Sequence, residues 1–324
     1  MEVMAKPPTR KKNSTKKAAK KMAPTPLKQH TSFQLERGVV RDDVAKLPGP
    51  FALIKQALVV LWRHYRLFLG IVLVFALLEV ALAGALIGYD KLVQTKATVA
   101  TQGGDTLSRI GDSLTLFVYM FGLTSQGGNG AGGIYQVVLL IIGSLAVIWA
   151  LRQAYGSGTE RIVLRDAFYR SMYPLVPYVL VSAVIVLELL PMALGVGLYW
   201  AITANGLATS LPEHLLWAPL SLMLTVLSLY MIASTVFGLY IATLPDMEPM
   251  RALRSARDLV RARRFAVVWR MLLMPFGLFV VAALLVVPCL LFITPAAPWV
   301  FFLVVIFLFP VAHSYMYALY RSLL

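Results

Sequence analysis

The sequence predicts an all-α membrane protein with six transmembrane helices, joined by amphipathic helices on the cytoplasmic side. Three observations predict it. Of the 324 residues, 59% are hydrophobic and only 14% are charged, whereas a soluble domain carries about 25% charged and about 45–50% apolar residues. Six apolar runs each reach about 18 residues or more, enough to cross a hydrocarbon core about 30 Å thick. The runs show no alternation of polar and apolar residues. That selects helices over a closed barrel, the two structures able to pair their own backbone in lipid. A mean hydropathy of +0.75 agrees. Together these exclude an ordinary soluble enzyme, and Cys289, the one cysteine, excludes a disulfide scaffold.

Residues 1–48 read as a disordered basic cytoplasmic tail. The first 30 residues hold eight Lys and one Arg against a single acid, with little apolar content to bury. No apolar stretch follows closely enough for a secretory signal, and Lys outnumbers Arg, against a mitochondrial presequence. Residues 49–324 read as the six-helix domain. After Pro48 and Pro50, Phe51, Ile54, Leu58, Leu61, Trp62 and Tyr65 recur at helical spacing, with Lys55, Arg63 and Arg66 on another face. This is an amphipathic helix suited to a membrane surface. The apolar runs then fall at 67–87, 134–151, 175–199, 219–241, 271–294 and 300–319. Pro191, Pro275, Pro288 and Pro310 lie inside them and are expected to kink the helices without ending them. Between the first two runs, 114–123 is too short to span and reads as an interfacial or re-entrant turn. The glycines from 127 to 133 read as a linker. They lack the Lys-Ser/Thr and the preceding strand of a phosphate loop.

The pattern suggests one unit written three times: a basic amphipathic leader, an outgoing helix, an outer turn and a return helix. The third leader is the clearest. Arg254, Arg257, Arg261 and Arg264 are spaced to share one face, opposite Leu253, Ala256, Leu259 and Val260. Such a face gains about 1 kcal/mol per Lys or Arg beside an anionic leaflet. The same arginines also enforce topology, and the two readings are compatible. With both termini inside, 27 of the 30 Lys and Arg lie on the cytoplasmic side, as the positive-inside rule requires.

Chemistry is sparse. Glu79 and Glu188 lie near the middle of the first and third runs and His313 lies in the sixth. Ionisable groups there are costly to insert, on the order of 2–3 kcal/mol for a Glu, and mark functional candidates. They could form a proton relay or polar contacts between helices. The four His are scattered, with no HExxH or CxxC, so neither metal nor cofactor is expected. No nucleophile with a matching His and acid can be read. Phe309-Pro-Val-Ala-His313 loosely resembles one motif of intramembrane CAAX-type proteases, whose paired-glutamate motif is missing.

The run PMRALRSARDLVRARRF (249–265), the leader LIKQALVVLWRHYRLFLG (53–70) and the tail ALYRSL (318–323) resemble bacterial membrane proteins related to the membrane domain of glycerophosphoryl diester phosphodiesterases, a group that includes the YciC-like family. The resemblance implies a six-helix protein of the bacterial inner membrane. The soluble catalytic barrel of the phosphodiesterases is absent, so their activity is not carried over. The expected function is a non-enzymatic envelope protein, a lipid-contacting scaffold. Its expected partners are membrane lipids of the anionic inner leaflet, with room for an unknown protein partner. The leaflet is favoured over nucleic acid because the tail lacks interleaved aromatics for base stacking. The alternative is a small transporter or channel using Glu79 and Glu188.

Overall fold

The computed structural model describes residues 47–83, 111–120 apart from Asp112 and Tyr119, 131–156, 163–206, 210–261 and 263–324. The basic tail, the end of the first run and most of the 88–133 loop lie outside the described residues. Helix α1 (Pro50–Arg63) leads into α2 (Tyr65–Leu78), which continues as a π-helical turn over Glu79–Ala83. Then follow α3 (Ala131–Tyr155), α4 (Leu164–Ser171), α5 (Leu175–Ala204), α6 (Leu211–Thr235) and α7 (Phe237–Ala242). Helices α8 (Pro249–Val260), α9 (Arg264–Phe292) and α10 (Ala297–Leu323) complete the chain. No strand occurs among the described residues. Six helices are long and apolar enough to cross a membrane: α2 with its π turn, α3, α5, α6 continued by α7, α9 and α10.

The helices outrun the apolar runs, and each extension has a local cause. Helix α6 starts eight residues before its run because Ser210 and Glu213 form a capping box, with the Ser210 amide donating to Glu213 Oε2 at 3.0 Å and Pro212 in the first turn. Helix α5 runs on to Asn205, whose side-chain amide donates to the Ala201 carbonyl at 2.7 Å. Gly206, at φ +66°, then turns the chain away. Prolines 191, 219, 275, 288 and 310 all sit inside continuing helices.

The fourth span, read as one run, is broken at Val236. Ser234 donates its hydroxyl back to the Met231 carbonyl, and the Thr235 hydroxyl oxygen stands 3.3 Å from the carbonyls of Met231 and Ile232. Such back-bonding competes with the helical ladder and bends it. Helix α7 continues the span beyond the break.

The three units are arranged cyclically. Each leader packs on the return helix of the unit before it: α1 on α10, α4 on α3, and α8 on α7. Ser314 of α10 donates to the Ala57 carbonyl of α1 at 3.2 Å, and Ala167 of α4 is buried against Ala146, Ala150 and Leu151 of α3. The return helices α3, α6–α7 and α10 form an inner ring, with 39–50% of their spans buried, against 17–33% for α2, α5 and α9. All three leaders lie at one end, called here the basic end. There Leu145 and Ile148 of α3, Phe237 and Tyr240 of α7, and Tyr315 and Leu319 of α10 belong to one buried apolar cluster. Lipid tails are as apolar as these side chains, so close packing and interhelical hydrogen bonds hold the bundle together. The α5–α6 contact shows the closeness: a Cβ at Gly195 would stand 3.0 Å from the Leu224 Cβ.

Two elements pack on protein in ways their own sequence does not show. One is the apolar face of helix α8. Ala252, Leu253, Ala256 and Val260 are buried in the protein core beside α7. The face of four arginines is also divided, because α8 ends at Val260 and Arg264 opens α9. The other is segment 113–118, which is helical, with Phe117 buried among Ala282, Val286 and Phe301 of the α9–α10 hairpin. It therefore packs on protein.

Candidate functional site

Glu188 has become part of a helix-to-helix contact. It is 4% exposed. Thr235 donates its hydroxyl to Glu188 Oε2, Ser228 donates to the Glu188 backbone carbonyl, and Arg257 Nη2 stands 4.0 Å from Oε1. Three elements thus meet at one carboxylate: α5, the end of α6, and α8. Arg257 reaches the acid because α8 is docked against α5 and α6, with its guanidinium half in solvent. Arg264, opening α9, donates to the Tyr230 hydroxyl and lies 5.1 Å over its ring. Arg254 and Arg261 are exposed. Of the four arginines, one pairs with the buried acid, one with an aromatic ring, and two face outward.

Glu79 opens the π turn and is 6% exposed. It lies fourteen residues beyond the start of α2, and Glu188 lies thirteen residues beyond the start of α5. The two acids therefore occupy similar positions along the outgoing helices of the first and second units. The matching place in α9 is Gly277–Leu278, so the third unit has no acid there. His313 sits on α10, 3.4 Å from the Tyr240 hydroxyl through Nδ1 and edge-on to Phe309 at 4.8 Å. No hydrogen bond joins Glu79, Glu188 and His313 among the described residues, so the structure does not bring them together. No three His, Cys, Asp or Glu gather among the described residues either.

Sequence reasoning passed over the arginines that close the basic end. Arg152 Nη1 donates to the Thr243 carbonyl at 2.8 Å, tying α3 to the end of α7. Arg321 of α10 lies 4.9 Å over the Tyr155 ring of α3 and donates to the Tyr155 carbonyl at 3.4 Å. Arg270 of α9 reaches two carbonyls at the start of α1, Pro48 at 3.0 Å and Leu47 at 3.2 Å. Tyr240, Tyr317 and Tyr320 form a ring cluster between these arginines, with centroids about 6 Å apart. The available signal was positional. Each arginine stands within two turns of a span end, where a guanidinium can reach backbone carbonyls at the end of a neighbouring helix or just before its start.

The arrangement binds helices to one another. Glu188, Thr235, Ser228, Arg257 and Arg152 all make interhelical contacts. The chain matches no protein-family model, no curated protein and no solved structure.

Proposed function

We propose that this multi-pass membrane protein is a non-enzymatic, lipid-contacting scaffold of the bacterial cell envelope, with both termini and the basic end on the cytoplasmic side. The observation that carries this reading is the buried apolar cluster shared by the return helices. Aromatic and aliphatic side chains of α3, α7 and α10 are buried together at the basic end, whereas a channel would need a wet path between its helices. The outer faces of α5 and α9 are broadly apolar and exposed, as at Leu187, Leu194, Phe276 and Leu284, which suits direct lipid contact. The resemblance to the phosphodiesterase-associated and YciC-like membrane proteins fits the same role, and the placement of Lys and Arg favours the orientation.

Single cysteines in a Cys289→Ala background test the orientation. With an impermeant maleimide, Ala208→Cys should label in intact cells, whereas Met250→Cys and Leu324→Cys should label only after permeabilisation. The reverse pattern would overturn the orientation.

A further inference from the structure

We infer that a cleft at the basic end, between α3, α4 and the turn after α7, binds the phosphate of an anionic phospholipid. The cleft has a volume of about 260 Å³, and its polar lining includes Arg152, Gln153, Arg170 and Thr243. That volume is below the 300–1,000 Å³ of sites for drug-sized ligands, so it suits a headgroup and not a whole lipid.

Arg152 is held in place without being neutralised. One nitrogen donates to the Thr243 carbonyl, and no carboxylate pairs with it among the described residues. Arg170 has only Asp166, one turn back at 3.7 Å, and its side chain is 62% exposed. Among the described residues, two guanidiniums against one carboxylate leave one positive charge. A phosphodiester brings one negative charge and acceptor oxygens suited to the guanidinium fork.

Two observations favour a lipid over a soluble phosphate. Trp149 and Tyr173 border the cleft, and such amphipathic rings sit at headgroup level. Just past Pro174, Val176 and Leu180 are exposed one turn apart on α5, an apolar strip along which acyl chains would lie. The inference takes from the scaffold reading only that the basic end meets a leaflet surface. Binding is measured on purified protein, where orientation in the cell does not enter, so the two can fail separately.

The test uses the full-length protein in phosphatidylcholine nanodiscs, with phosphatidylglycerol titrated in and retained lipid counted by native mass spectrometry. Wild type should retain one phosphatidylglycerol. Arg152→Gln and Arg170→Gln should each weaken retention about tenfold. Arg152→Gln also removes the bond to Thr243. If that variant misfolds, Arg170→Gln, which breaks no buried bond, decides the matter. Equal retention by Arg170→Gln and wild type would overturn the inference. A parallel arm adds inorganic phosphate. Failure of millimolar phosphate to displace the lipid supports a headgroup site, and full displacement would reassign the cleft to soluble phosphates and overturn the lipid assignment.

Discussion

Replacing Arg270 with Ala should release the start of α1 and cost about 2–3 kcal/mol of stability. The guanidinium spends all its arms: Nε on the Pro48 carbonyl, Nη2 on the Leu47 carbonyl, and Nη1 on Ala266 of its own helix at 2.9 Å. The Tyr315 hydroxyl donates to the Arg270 carbonyl at 3.0 Å, so α10 is held at the same point. Hydrogen bonds to charged groups are worth about 1.5–3 kcal/mol each. The low end applies here, because the site is half-buried and the freed carbonyls regain water. Arg270→Lys should recover only part of the loss, since an ammonium lacks the planar fork that serves two carbonyls at once. Denaturation in detergent reads the energy, and limited proteolysis near residues 47–50 reads the release. Unchanged proteolysis would show that α1 is held by its apolar contacts alone.

Glu188→Leu should cost about 1–2 kcal/mol and loosen α8, while Glu188→Gln should stay close to wild type. The Leu variant keeps the volume but removes the acceptor for Thr235. Interhelical polar contacts inside membranes average about 0.6 kcal/mol and reach about 1.7 kcal/mol, and burial of the acid puts this contact near the upper figure. Gln retains a carbonyl oxygen for the Thr235 hydroxyl and loses only the charge facing Arg257. That loss is small, because Arg257 is more than half exposed and 4.0 Å away. Hydrogen exchange over 249–260 checks this, with faster exchange expected in the Leu variant alone. Equal acceleration in the Gln variant would show that charge holds α8, and not the hydrogen bond.

The parts legible in the sequence were those governed by composition along one helix. Six spans followed from apolar runs, and the leaders followed from the periodicity of Phe51–Tyr65 and of Leu253–Val260. The Ser210/Glu213 box was legible too, but the apolar window that opens at Pro219 hid it. What stayed hidden depends on neighbours. Helical periodicity shows that α8 has an apolar face, but lipid and protein are equally good solvents for that face, so its docking on α7 could not be read. Thr235 looked like an ordinary residue within a run until its hydroxyl met Glu188, 47 residues away. Arg270 closed a basic segment on paper, while its partners at Leu47 and Pro48 lie more than 200 residues earlier. The cyclic order, with each leader on the preceding return helix, follows from packing that no single unit's pattern contains.

A scaffold and a proton-coupled transporter differ most directly in flux. Protein reconstituted into vesicles with a trapped pH-sensitive dye should show no proton movement above that of empty vesicles under an imposed pH gradient and membrane potential. Wild type, Glu79→Gln and Glu188→Gln should behave alike, because Glu188 serves a helix-to-helix contact and neither acid carries a proton across. Protein-dependent proton flux in wild type, abolished by Gln at either Glu in a variant that remains folded, would contradict the scaffold and establish the transporter.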